Sequence, residues 1–311
     1  MAMKTLLWIA ILASAQCGIG QDCTRTVPAN LLDLKDFRPV PAVDVDRLHG
    51  SLGNNPAVIS KVDKIKSNRI LLLIDVSASQ ERDSAFLQSQ LELLLEKTPP
   101  GSPIAYGFFH DRTFGLSRFF TDPKEVMAAS ASLRNMKPKG HTALFDAVHE
   151  GLKLFQTPLP GDSILVLSDG GENHSKITKE SLAKELGARG VRFFAILQTH
   201  GNPIAPEDTE GPQALNTLAR QTGGAVYTFP TSEVTWNDKK SRMEMVDAVR
   251  TFWLEGVGAG YLLTVEAPTD PKKNERLKIQ LDKGSDARLK NVTVLYPRYL
   301  PPCVATSAAV Q

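Results

Sequence analysis

Between residues 67 and 257, short apolar runs and stretches of helical periodicity take turns along the chain. Ile70–Ile74 and Ser163–Leu167 read as strands buried on both faces. Ile104–Phe109, Thr113–Phe120, Val191–Leu197 and Gly224–Thr228 read as further strands. Helical spacing marks Gln80–Lys97, Pro123–Leu133, the stretch after Thr142, Lys179–Arg189, Pro212–Gln221 and Ser241–Glu255. Leu87, Leu91, Leu94 and Leu95 form one apolar face, and Leu144, Val148, Leu152 and Phe155 another. Pro99-Pro100-Gly101, Pro160-Gly161, Gly190 and Gly256 close successive helices. Alternation of this kind dictates the α/β class: a doubly wound, mostly parallel sheet with crossover helices on both faces.

The flanks obey a different rhythm. Residues 21–66 are rich in Pro, Asp and Val and lack sustained helical periodicity. Ala57–Ser60 reads as a strand, and Leu31, Leu32, Leu34 and Phe37 are candidate packing residues among short strands and loops. After Gly258 the period becomes two. Tyr261–Val265 is one strand, Leu277, Ile279 and Leu281 mark a second, and Val292–Tyr296 is a third. These predict a small antiparallel β-rich unit over 258–311, placed to pack with 21–66.

Composition narrows the setting. A formal net charge of +2 on 311 residues favours neither nucleic acid nor an anionic membrane surface. Lys4 followed by the apolar Leu6–Ala13, too short to span a bilayer, reads as a secretory signal over residues 1–20. Cleavage fits after Ala15 or after Gly20. The later cut leaves Cys23 and Cys303, a natural disulfide pair in an oxidising compartment. No second apolar span follows, so a secreted, periplasmic or cell-envelope protein without a membrane span is expected.

Three loops at or near strand ends carry the chemistry: Asp75-Val-Ser-Ala-Ser79, Lys139-Gly-His-Thr142 and Ser168-Asp-Gly-Gly-Glu-Asn173. In open α/β sheets, ligands bind at the carboxyl ends of the strands. Taken singly, Ser77 and Ser79 read as helix caps, Thr142 as another, and Asp169 as a turn residue. Taken together, two carboxylates and three hydroxyls are hard oxygen donors, suited to Mg²⁺, Mn²⁺ or Ca²⁺ and unsuited to zinc. Glu172 and Asn173 border the group and read as solvated loop residues. His141 and His174 flank it, and His110 reads as structural.

In these residues the chain resembles a von Willebrand factor type A domain with a complete metal-ion-dependent adhesion site. The resemblance assigns Asp75, Ser77 and Ser79 to the first metal loop, Thr142 to the second and Asp169 to the third. It implies Mg²⁺, alternatively Mn²⁺ or Ca²⁺, and a protein partner whose exposed carboxylate reaches the ion. It also implies a Rossmann-like sheet with one antiparallel edge strand, which Thr113–Phe120 beside Ile104–Phe109 would supply. The last helix, Ser241–Glu255, takes the position coupled to metal coordination in related adhesion domains. The wider layout is similar to bacterial von Willebrand factor A-related secreted proteins. Gln80 departs from the pattern, since the family often has Met there.

The expected function is an extracytoplasmic, metal-dependent protein-binding module. One alternative is a scaffold within an envelope assembly; another is a metal-dependent hydrolase. Against the hydrolase stand the missing Gly-x-Ser-x-Gly elbow, the missing paired-His motif and the absence of a core cysteine nucleophile. Ser77 also stands where an aspartyl phosphotransfer site commonly carries a second acid.

Overall fold

The computed structural model describes residues 21–302 except 34, 36–37, 41–42, 82–83, 100, 131–135, 200–206, 231–237 and 270–272. The expected signal segment, Cys17 and Cys303 lie outside the described residues. In chain order the strands and helices begin with β1 (Gln21–Asp33), β2 (Arg38–Pro39), β3 (Leu48–Leu52) and β4 (Asn55–Lys64). Next come β5 (Ile70–Asp75), α1 (Ser84–Glu96), β6 (Ile104–Phe109), β7 (Thr113–Phe114), α2 (Pro123–Ser130) and α3 (Leu144–Leu152). Then follow β8 (Ser163–Ser168), α4 (Lys179–Arg189), β9 (Arg192–Thr199), α5 (Glu207–Thr222), β10 (Val226–Pro230) and α6 (Lys239–Thr251). The chain closes with β11 (Tyr261–Thr269), β12 (Glu275–Leu281), β13 (Val292–Leu295) and β14 (Tyr299–Leu300).

Six strands form the central sheet in the order β10-β9-β8-β5-β6-β7, all parallel except β7. All six residues of β5 are buried, because each of its faces meets helices. Ile70, Leu72 and Ile74 point to one side, among Leu87, Leu91, Leu94 and Leu95 of α1. Leu71 and Leu73 point to the other, among Leu144, Val148 and Leu152 of α3. A strand alternates its side chains, so a run apolar at every position is what two-sided burial requires. From β5 the chain moves outward to β6 on one side and later places β8 on the other. The crevice where strand order reverses therefore lies between the carboxyl ends of β5 and β8.

The flanking segments build a second, antiparallel sheet ordered β13-β1-β11-β4-β3-β12-β14, with β2 beside β1. β1 pairs along Gln21–Ala29 with β11, joining the lead-in to the tail. Pro28 falls where β11 is its one paired neighbour, since β13 and β2 join β1 only from Asn30 onward. A residue lacking N–H is tolerated at such an open side. Cys23 is buried and disulfide-bonded, and its expected partner Cys303 lies outside the described residues. Among the described residues no helix is long and apolar enough to cross a membrane.

Arg192 fastens the two sheets. It is fully buried and donates to Asn30 Oδ1 of β1 at 2.7 Å, to Gly161 O at 3.0 Å and to Val257 O at 3.2 Å. Burial pulls its guanidinium down to about 10, although nearby Asp162 acts the other way.

Several expected elements differ in extent, and two of the differences bear on how the sheet and its helices pack. The strand expected over Thr113–Phe120 is only Thr113–Phe114, plus a single antiparallel bridge between Ile104 and Phe120. Between these points the Ser117 N–H donates to Tyr106 O at 2.9 Å while the Ser117 hydroxyl accepts the Tyr106 N–H at 3.0 Å, so a side chain substitutes for one of the two ladder bonds. The last helix ends as a regular α-helix at Thr251 and runs on as a π-helical turn, Phe252–Val257. That turn buries Phe252 and Trp253, and the Trp253 indole donates to Lys97 O at 2.9 Å beyond the end of α1.

Candidate metal centre

The five candidate residues gather at the crevice. Asp75 ends β5, and its register places it beside Ser168 at the end of β8, because Ile74 pairs with Leu167. Asp75 is wholly buried, Ser77 and Thr142 nearly so, Asp169 is partly exposed and Ser79 is exposed. The group therefore has a closed floor and an open mouth.

Hydrogen bonds fix the floor. Asp75 Oδ1 accepts the Ser77 N–H at 2.9 Å, and Asp75 Oδ2 accepts the Ser168 hydroxyl at 2.6 Å. The Ser77 and Ser79 hydroxyls stand 3.0 Å apart. Asp169 Oδ1 accepts the Gly171 N–H at 3.0 Å. The capping reading fails for Thr142. α3 is capped at Ala143 without a side-chain bond, and its Phe145 N–H is taken by Glu172 Oε2 at 2.9 Å. Among the described residues the Thr142 hydroxyl has no hydrogen-bond partner, and the hydroxyl of Ser79 meets only that of Ser77.

The loops are pinned to one another. Lys139 N donates to Val76 O at 3.0 Å and Ala78 N to Gly140 O at 3.1 Å, tying the first loop to the second. Thr142 N donates to Asn173 Oδ1 at 3.0 Å, and the N–H groups of Asn173 and His174 return to Thr142 O at 3.1 Å, tying the second to the third. Glu172 and Asn173 thus tie the loops together, although Asn173 remains exposed to solvent. The third loop rests on α5: a side chain on Gly211 would collide with the Gly170 carbonyl. His110 packs its ring 5.1 Å from that of Phe114, as a structural histidine does. His141 and His174 stack at 5.1 Å at the rim.

Electrostatically the floor is frustrated. Burial, and then the charge of Asp169, push the Asp75 carboxyl up to about 7, against the pull of hydrogen bonds from Ser168 and Ser77. A divalent cation would reverse both effects. The donor set fits one. A β-carbon built on Gly171 would lie 3.3 Å from Asp169 Oδ1 and 3.6 Å from Thr142 Oγ1, so both oxygens face the small space that this glycine leaves open. Among the described residues no group of three or more His, Cys, Asp or Glu is arranged to hold a metal. A site here would depend on hydroxyls as much as carboxylates, which is the character of a hard-ion site.

Sequence reasoning missed Ser168, which orients Asp75, and Gly211, which seats the third loop. Ser168 left a faint signal, a hydroxyl ending the apolar run directly before Asp169. Gly211 left none, because its role is a contact with a residue far away in the chain.

Residues 12–221 match the family described as VWA domain containing CoxE-like protein. Among curated proteins none matches the chain in sequence. Among solved structures it is similar to proximal thread matrix protein 1 from the mussel byssus, at 19% identity and TM-score 0.45 over 66% of this chain and 50% of that one. The chain thus spans half the length of the mussel protein. It is also similar to BatB from Bacteroides thetaiotaomicron, at 18% identity and TM-score 0.42 over 59% of this chain and 99% of that one. A von Willebrand factor type A protein from Catenulispora acidiphila is similar at 12% identity and TM-score 0.44 over 91% of this chain and 74% of that one. The family match covers more than half of the chain, and the protein belongs to the CoxE-like branch of the von Willebrand factor A domain family.

Proposed function

We propose that the protein is an extracytoplasmic binding module that captures an acidic group of a protein partner through a divalent ion. The observation that carries this reading is the convergence of two carboxylates and three hydroxyls on one crevice, with Asp75 buried beneath an open mouth lined by Ser79 and Asp169. Ser77, Ser79 and Thr142 would hold the ion through neutral oxygens, with Asp75 and Asp169 supplying the two negative charges. Bound there, Mg²⁺, or Mn²⁺ or Ca²⁺ in its place, offers an electrophilic coordination position to a carboxylate oxygen. Ser168 holds Asp75 in orientation, and Asn173 and Glu172 keep the second and third loops together. Nothing in this set supplies a nucleophile paired with a base, so the reading is binding rather than turnover.

The test is capture of envelope proteins on the immobilised full chain, in Mg²⁺ and in chelator. Asp75→Ala and Thr142→Ala should each lose the metal-dependent partner while keeping the wild-type circular dichroism spectrum. Partner binding that persists unchanged in chelator contradicts the reading.

A further inference from the structure

Beside the metal loops lies a groove of about 320 Å³ with an apolar floor of Val76, Phe114 and Met136. Its rim carries Arg112, Lys137 and Lys139, all exposed. Among the described residues no acidic side chain lines it, and none of these three cations makes an ion pair. The adjacent Asp111 accepts the His141 N–H at 2.7 Å through Oδ1, and its Oδ2 lies 3.4 Å from Nδ1 of His110, which also lines the groove, so this carboxylate is engaged by the two histidines rather than by the three cations. Like charges drawn to one concavity repel each other, so the arrangement gains from an anion that enters from outside. On the other side of Arg112, which lines both cavities, the charge is different. There Asp146 and Glu150 join Arg112, His149 and Lys176 around a larger cleft of mixed charge, and Asp146 is engaged by the Lys176 and Ile177 N–H groups.

Groove and metal centre share a backbone. Val76 lies between Asp75 and Ser77, and its carbonyl accepts the Lys139 N–H at 3.0 Å. Lys139 in turn precedes Thr142 by three residues. A partner segment that is seated on the ion and extends over Val76 and Lys139 meets the basic rim, whereas the cleft beyond Arg112 carries both signs of charge.

We propose that this groove is a second anion subsite, and that the partner presents a segment with two acidic side chains. One reaches the metal centre, and the other lies among Arg112, Lys137 and Lys139 with a neighbouring apolar side chain on Phe114 and Met136. The proposal rests on the metal-dependent reading above and adds the partner's charge pattern to it. Exposed pairs of this kind contribute modestly one by one and more as a cluster.

The probes are immobilised Gly/Ser decapeptides with one Asp, and the same peptides with a second Asp at successive spacings, each with and without an adjacent Leu. Binding of the full chain is followed by interferometry in Mg²⁺ and in chelator. For wild type in Mg²⁺, the best two-acid peptide should bind about fivefold to tenfold tighter than the one-acid peptide. The gain should shrink as salt shortens the Debye length from about 10 Å toward about 3 Å. In the triple variant Arg112→Gln, Lys137→Gln, Lys139→Gln the ratio should fall to about one, and in Lys137→Glu, Lys139→Glu it should drop below one. Mg²⁺ titration without peptide reports whether each variant keeps its metal centre. A wild-type ratio of one, or a ratio unchanged in the triple variant, overturns the proposal while leaving metal-dependent capture standing. Loss of all Mg²⁺-dependent binding by wild type overturns the metal reading and the proposal with it.

Discussion

Gln80 fits its surroundings least well of the residues near the metal loops. It is fully buried, and among the described residues neither its amide nitrogen nor its amide oxygen has a hydrogen-bond partner. An unsatisfied buried amide costs about 1–3 kcal/mol, whereas an unbranched apolar chain of similar size costs nothing in hydrogen bonds. Gln80→Met should therefore stabilise the protein by about 1 kcal/mol or more, seen as a higher urea midpoint with an unchanged slope. A lower midpoint would show that the amide is satisfied in solution.

Asp75 makes a second prediction at this scale. Its folded carboxyl is raised to about 7 from an ordinary 3.8. A raised carboxyl contributes stability that is fully present below the unfolded value and lost as pH climbs through the folded one. In chelator, Tm should thus fall as pH rises from about 4 to above 7, to the extent this group controls it. Mg²⁺ should oppose that fall, because cation and proton compete for the same carboxylate, and its affinity should weaken below about pH 7. A Mg²⁺ affinity independent of pH across this window would contradict the assignment. Asp75, Ser77, Ser79, Thr142 and Asp169 were legible as oxygen-bearing residues of three loops, two of them following β5 and β8 and one preceding α3. Ser168, Glu172 and Asn173 were not, because their work is hydrogen bonding across loops distant in sequence.

At the scale of elements, the third loop is only as well placed as the helix beneath it. α5 approaches so closely that Gly211 leaves room for the Gly170 carbonyl, one residue past Asp169. Gly211→Ala should push that loop outward and weaken Mg²⁺ binding about tenfold or more, a loss of roughly 1.4 kcal/mol. The circular dichroism spectrum should stay native. Unchanged affinity would mean that the loop does not depend on this seat. Most elements were legible from periodicity, above all β5 and β8, where two-sided burial writes an unbroken apolar run. The shortened β7 was not, since whether Ser117 replaces a ladder bond depends on the facing Tyr106. The start of α5 at Glu207 was also hidden, because Gly211-Pro212 looks like a break rather than the interior of a helix.

At the scale of the molecule, two sheets share one chain. The sequence showed the period-two tail but disguised β1, whose buried Cys23, Val27, Ala29 and Leu31 alternate through polar neighbours and a proline. Arg192, an unlikely core residue by type, joins the sheets through Asn30 and the carbonyls that lead into β11. The binding face lies at the carboxyl end of the central sheet. Arg192 begins β9 at the amino-terminal end, so the join and the binding face occupy opposite ends of the parallel strands.

Together, Asp75, Ser77, Ser79, Thr142 and Asp169 are expected to hold one divalent ion. Calorimetric titration of the full chain with Mn²⁺ and Mg²⁺ tests this expectation most directly. Wild type should bind one ion per chain, and Asp75→Ala and Thr142→Ala should each lose that binding while remaining folded. Equal binding by wild type and both variants, or none by wild type at a pH above about 7, would contradict it.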